Sequence, residues 1–215
     1  MIEFYALAQQ CALAVHPATM AAVVRVESTF NPFAIGVVGG RLARQPTNKA
    51  EAVATANALT AAGVNFSLGM GQVNRYNLSR YGLDYQSAFE PCANLKAASL
   101  ILQECYRRAK AKGMTDTSAL QAAFSCYYSG NFLTGFTADF KGQPSYVQKV
   151  LNSAVAVGVA GQTLPIRVVS GVNATTKRRV STVVHNIHQA PDQRPKHPDS
   201  AGNSSAPRVS VMVYR

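Results

Sequence analysis

Apolar residues recur at helical spacing along most of the first 155 positions. Phe4, Leu7, Ala8, Cys11, Ala14 and Val15 form one stripe, ended by His16-Pro17. A second helix is predicted over about residues 18–28, and an Ala-rich one over 49–62, stopped by Gly63. Leu95, Ala98, Leu102 and Cys105 mark a longer buried helix over 94–111, closed by Gly113. Leu120, Ala123, Phe124 and Tyr127 mark another, with Asp116 or Thr117 as its expected N-cap. Tyr146, Val147, Val150, Leu151 and Val155 close the body with one more. Short helical pieces are expected around 75–81 and 85–89. Gly36, Gly39 and Gly40 after Pro32 predict a loop or short hairpin, and residues 132–144 a Gly-rich loop. Past Gly161 the periodicity dissolves into Thr, Ser, Asn, Pro and basic residues, so a flexible basic arm is expected. Its last alternating run, 209–214, could pair as a strand with a partner, but is read as a loose chain end. The pattern therefore divides the chain into a mainly α-helical body, residues 1–160, and a tail, 161–215.

One position breaks the second stripe. Met20, Val23, Val24 and Glu27 fall at i, i+3, i+4 and i+7, so a carboxylate ends an otherwise apolar face. Burial of a carboxylate without a partner costs the ion far more than the neutral acid. Pro32 disfavours helical geometry at Asn31, which places Glu27 near a helix C-terminus, where the peptide dipoles also disfavour the anion. Both effects raise the pKa of Glu27 and favour an acid that holds its proton near neutral pH.

Composition narrows the partners. The 215 residues are 47% apolar and 14% charged, with a net charge of +11. Residues 1–161 hold 13 Lys and Arg against 8 Asp and Glu, and residues 162–215 hold 8 against 2, so the excess is concentrated in the tail. Nucleic acid, anionic lipid and an acidic wall polymer would each suit such a chain. Lys177-Arg178-Arg179 is the densest basic cluster and has no interleaved aromatics, so nucleic acid is not the expected partner. Cys11, Cys92, Cys105 and Cys126 are too far apart for a C-x-x-C motif and allow up to two disulfides in three pairings, or free thiols. His185-x-x-His188 lacks acidic or Cys neighbours, so no metal is expected there. No run approaches the roughly 18 apolar residues of a membrane span. Residues 1–15 read as a helix of the mature body, and an export signal is expected to have been removed or to lie outside this sequence.

Two further stretches stand out. In Asn65-Phe66-Ser67-Leu68-Gly69-Met70-Gly71-Gln72-Val73-Asn74, glycines alternate with large residues and amides, as where a backbone passes very close to something. No phosphate-cradling pattern accompanies them. Tyr127-Tyr128-Ser129-Gly130 places an aromatic pair before small residues.

In their order and separation, Glu27-Ser28, Gly69-Met70-Gly71-Gln72 and Tyr127-Tyr128-Ser129-Gly130 resemble the soluble lytic transglycosylase-like domain, a relative of goose-type lysozyme. Ala34-Ile35-Gly36, the Ala-rich helix after Gln45-Pro46, and Asn65-Phe66-Ser67 are similar to its subgroup in type IV secretion and conjugation machines, the peptidoglycan-cleaving component. The resemblance covers roughly residues 5–155 and implies a lysozyme-like helical domain with a glycan-binding cleft. It implies that Glu27 is the catalytic acid and base and that Ser28 supports it. Ser67, Gly69, Met70, Gln72 and Asn74 would build one wall of the cleft, Tyr127, Ser129 and Gly130 another, and Tyr146 would reach the carboxyl. Two positions depart from the family pattern: Gly71, where Met is frequent, and Tyr128, where Asn is usual.

Most glycosidases use two carboxylates, yet no second one is evident near Glu27, and in this family none is expected. The implied reaction is cleavage of the bond between N-acetylmuramic acid and N-acetylglucosamine with closure of a 1,6-anhydro ring, without water. No cofactor is implied. The implied setting is the periplasm, with peptidoglycan as substrate, secretion components as partners of the tail, and no integral membrane anchorage. The competing expectation is a wall-docked scaffold in which cleavage is weak.

Overall fold

A computed structural model describes residues 2–159; the tail readings above lie outside these residues. The described fold is mainly α: α1 (Ile2–Cys11), α2 (Pro17–Ser28), α3 (Lys49–Ala61), α4 (Pro91–Ala111), α5 (Asp116–Ser129) and α6 (Tyr146–Val159). Three short strands, β1 (Ile35–Val37), β2 (Phe66–Leu68) and β3 (Val73–Asn74), form one antiparallel sheet in the order β1-β2-β3. Ile35 pairs with Leu68, and Ser67 with Asn74.

Helix α2 is the centre of the core. Its Met20, Ala21, Ala22, Val23 and Val24 are all buried, and the small residues allow α6 and α1 to pack closely around it. Pro17 starts it with a φ already suited to a helix, and His16 Nδ1 accepts from the Ala18 N–H at 3.2 Å. Helix α4 packs along α5 and against α1. The disulfides Cys11–Cys92 and Cys105–Cys126 tie α4 to α1 and to α5, resolving the three possible pairings to one.

The boundaries differ from expectation in four places. Helix α1 ends at Cys11 rather than Val15: the Val15 N–H bonds to Ala12 O as the chain turns toward α2. Helix α4 begins at Pro91, three residues before Asn94, because a proline is well accommodated in a first turn. The N-cap of α5 is Thr115, not Asp116 or Thr117. Its extended backbone lets the hydroxyl accept from the Ser118 N–H at 3.3 Å, while Asp116 lies inside the first turn. Finally, the glycine-rich stretch is β2, a tight turn and β3. The windows at 75–81 and 85–89 contain single-turn helices, Arg75–Asn77, Ser79–Tyr81 and Ser87–Phe89.

Candidate active site

Glu27 is the penultimate residue of α2, and only 7% of its surface is exposed. The helix stops immediately after it, with Thr29 and Phe30 both at positive φ, 53° and 65°. Such backbone is costly for a β-branched residue and an aromatic one, and residues held this way concentrate at functional sites. The two left-handed residues reverse the chain, so that α2 ends at the wall of a cleft of about 330 Å³ lined by Glu27, Ser28, Asn31, Arg41, Gln45 and Gln72.

The two carboxyl oxygens of Glu27 are in different surroundings. Oε1 accepts a hydrogen bond from the Tyr146 hydroxyl at 2.5 Å. Oε2 is buried and has no hydrogen-bond partner among the described residues. Burial pushes the carboxyl up to about 8, against the weaker opposing pull of the Tyr146 hydrogen bond. At neutral pH the side chain is therefore mostly an uncharged acid. With Oε1 serving as acceptor, the proton belongs on Oε2.

Tyr146 is itself fixed. It is fully buried, and its ring stacks on Tyr128 with centroids 4.6 Å apart and planes 17° from parallel. The Tyr128 hydroxyl donates to Asp139 Oδ1 at 2.6 Å, with Lys149 Nζ 3.7 Å from Asp139 Oδ2. Tyr128 thus supports Tyr146 through its ring face. Burial, and next the nearby Glu27 charge, raise the pKa of both Tyr127 and Tyr146 well above that of an ordinary phenol, so both remain hydroxyl donors.

The glycine-rich turn is held in place by backbone and amide contacts. The Ser28 hydroxyl donates to Met70 O at 2.7 Å, tying the end of α2 to the turn. Gln72, at φ 48°, donates its amide to Gly69 O at 2.7 Å and to Ala34 O at 3.0 Å. Tyr127 donates to Gly71 O at 2.5 Å. What the glycines approach is α4. A Cβ on Gly69 would lie 2.4 Å from Asn94 Nδ2, and one on Gly71 would lie 2.5 Å from the Ala98 Cβ. Asn94, fully buried, accepts from the Gly71 N–H and donates to Leu68 O and Ala88 O.

The site residues expected from sequence do not all meet in one place. Glu27, Ser28 and Gln72 line the cleft described above. Asn74, Tyr127, Ser129 and Gly130 line a second hollow of about 300 Å³. Met70 faces a third, with Phe4 and Phe30. Ser67 is buried 3.5 Å from the Asn74 amide, and Gly69 is packed against Asn94. Ser129 bonds to Ser125 O, and Gly130, at φ 77°, ends α5. Tyr146 donates to the Glu27 carboxyl. Among the described residues, Glu27 is the sole carboxylate lining the first cleft; Glu104 lines the second and is held by Arg80 at 2.8 Å and Tyr81 at 3.2 Å.

Sequence reasoning missed Asn94, Gln45 and Asp139. Gln45 clamps the edge of β1, accepting from Ile35 N at 2.8 Å and donating to Ile35 O at 3.1 Å. Asn94 carried a usable signal: it shares the apolar face of Ala97, Ala98 and Leu102, where a buried amide must find partners.

Residues 4–137 match the family described as the transglycosylase SLT domain. The type IV secretion system protein virB1 of Brucella suis biovar 1 (strain 1330) is 58% identical over 177 residues, 81% of this chain and 71% of that protein. Its namesake in Brucella abortus biovar 1 (strain 9-941) is 62% identical over 156 residues, covering 72% and 65%. Protein virB1 of Agrobacterium fabrum (strain C58) is 34% identical over 157 residues, covering 71% and 59%. The chain thus spans 59% to 71% of the length of these relatives. No solved structure matches it significantly.

Proposed function

From the premise that this chain belongs to the transglycosylase SLT domain family, we propose that it cleaves the β-1,4 bond between N-acetylmuramic acid and N-acetylglucosamine in peptidoglycan, leaving 1,6-anhydro-muramic ends. The observation that carries this reading is the state of Glu27: a carboxyl kept protonated by burial at the wall of a cleft, with one oxygen fixed by Tyr146 and the other buried without a partner among the described residues.

The chemistry follows from a single acid. Glu27 Oε2 gives its proton to the glycosidic oxygen as the bond from that oxygen to C1 of the muramyl sugar breaks. The carbonyl oxygen of the substrate's own N-acetyl group supports the electron-poor C1. Glu27, now an anion in a poorly solvated place, takes the proton of the muramyl 6-hydroxyl while that oxygen bonds to C1. The carboxyl is restored, the ring is closed, and no water is consumed. A hydrolytic enzyme with two carboxylates would need a second one facing the first across the sugar. Among the described residues Glu27 is the one carboxylate that lines its cleft, in keeping with the ring-closing route.

The setting follows from the relatives. Proteins named for type IV secretion match most of this chain, so the proposed task is local opening of the wall during assembly of such an apparatus. The proposed site of action is the periplasm. Two disulfides suit an oxidising compartment, and no described helix is long and apolar enough to cross a membrane. Secretion components are the proposed partners of the basic tail.

Mass spectrometry of digested sacculi tests the chemistry. Wild type is expected to release anhydro-muropeptides, and Glu27→Gln none. Products with reducing ends would refute the ring-closing mechanism, and substantial release by Glu27→Gln would refute the assignment of the acid.

A further inference from the structure

The cleft beside Glu27 contains two guanidinium groups in different circumstances. Arg44 is bound: its Nη2 pairs with Glu51 and its Nη1 donates to Gln45 O at 3.2 Å. Arg41 makes no hydrogen bond, ion pair or ring contact among the described residues, yet it lines the same cleft as the catalytic carboxyl. Much of the neighbouring polar surface is already committed to the protein. Ser28 is held by Met70 O, Asn31 Oδ1 by the Phe33 N–H, and the Gln45 and Gln72 amides by backbone. Arg41 is thus the cation in this cleft whose donors are available to a ligand.

The cleft therefore presents an acid that is uncharged at neutral pH and, apart from it, an unpaired cation. Burial and Tyr146 are the causes that act on Glu27, and Arg41 is not among them, so the cation leaves the acid's proton in place. A neutral acid does not repel an anion bound nearby. Such a site fits a ligand that offers an uncharged ether oxygen at one point and a carboxylate at another. Guanidinium groups recognise carboxylates through paired N–H donors.

Resting on the reading of this cleft as one that cuts peptidoglycan, we propose that Arg41 is a specificity residue that binds a carboxylate of the muramyl unit. Two sources share that chemistry: the acidic residues of the peptide stem, and the lactyl group once the stem has been removed. The stem is the source to which Arg41 is assigned, because in intact wall the lactyl carboxyl is consumed in the amide that carries the peptide.

The test uses three glycan preparations: chains with acidic stems, chains whose stem carboxylates are amidated, and chains stripped by amidase so that the lactyl carboxylate is free. Cleavage by wild type and Arg41→Ala is followed, and binding is read by calorimetry with Glu27→Gln and with Glu27→Gln/Arg41→Ala. Acidic over amidated stems are expected to be preferred about tenfold in both kcat/KM and affinity, the scale of one charge-assisted contact, and Arg41→Ala is expected to erase that preference. Arg41→Lys should restore part of it, and added salt should shrink it. Equal losses on acidic and amidated chains, or no change on either, would overturn the proposal. A deficit confined to stripped chains would overturn the assignment to the stem and give the contact to the lactyl group. If wild type cleaves nothing while the binding preference stands, the enzymatic reading fails and the carboxylate site survives. If cleavage is normal and no preference exists, the reverse holds.

Discussion

Glu27→Gln should make the protein more stable as well as inactive, and the gain should grow with pH. Folding raises the carboxyl from 4.5 to about 8, so the folded state binds its proton more tightly than the unfolded chain does. The stability tied to that proton is fully present below pH 4.5 and is lost as pH rises through about 8. A difference of about 3.5 pKa units, at 1.36 kcal/mol each, sets a limit near 5 kcal/mol. Relative to the fully protonated protein, the loss is about 1 kcal/mol at pH 5, about 3 at pH 7 and about 5 at pH 9. Glutamine keeps an acceptor for the Tyr146 hydroxyl and carries no titrating proton. Groups that the Glu27 charge does not reach titrate equally in both proteins and cancel in the difference.

Denaturant unfolding of wild type and Glu27→Gln at pH 5, 7 and 9 measures this directly. The two should differ by about 1 kcal/mol at pH 5 and by about 5 kcal/mol at pH 9, the latter roughly 10–20 °C in Tm for a domain of this size. Parallel pH dependence in the two proteins would refute the reasoning, since it would mean that Glu27 ionises as easily folded as unfolded. The acid at the centre of the mechanism would then be an ordinary surface carboxylate.

Three other outcomes follow from the same geometry. Cleavage should be lost as pH rises above about 8, where Glu27 surrenders its proton, and in Tyr146→Phe this limb of the profile should move to higher pH. The missing hydroxyl lowers the pKa in wild type, so its removal raises it, while looser placement of the carboxyl should cut kcat roughly 10- to 100-fold. Gly71→Ala should cost about 1–3 kcal/mol in thermal unfolding and lower activity, because its Cβ meets Ala98 on α4 and displaces the turn. Reducing both disulfides should lower Tm sharply. Loops of 81 and 21 residues correspond to roughly 4.5 and 3 kcal/mol of chain entropy in the unfolded state, and calorimetry with and without reductant reads the difference.

Local chemistry decided how much of this was legible beforehand. Glu27 could be read because a carboxylate on the apolar stripe of Met20, Val23 and Val24 contradicts its surroundings, and Pro32 fixed where the helix had to stop. The glycines at 69 and 71 announced a close approach, although nothing in their neighbourhood named α4 as the object approached. Contacts between residues far apart in the chain left little trace. Ser28 with Met70, Tyr127 with Gly71 and Asn94 with three segments depend on how helices dock, which no spacing rule records. The N-cap of α5 was misplaced for a different reason. Thr115, Asp116 and Thr117 are all good capping residues, and the choice among them is made by backbone conformation. Tyr128 was an unexplained departure in the sequence and is accounted for by its stack on Tyr146 and its bond to Asp139.

The crosslinks on α4 have a consequence for timing. The helix that holds the glycine-rich turn is stapled near its start and again in its last third, so a chain in a thiol-rich interior would lack both staples. Newly made copies would then be less stable until they met an oxidising compartment. The proposed cutting edge would thus be fixed in place only where disulfides form.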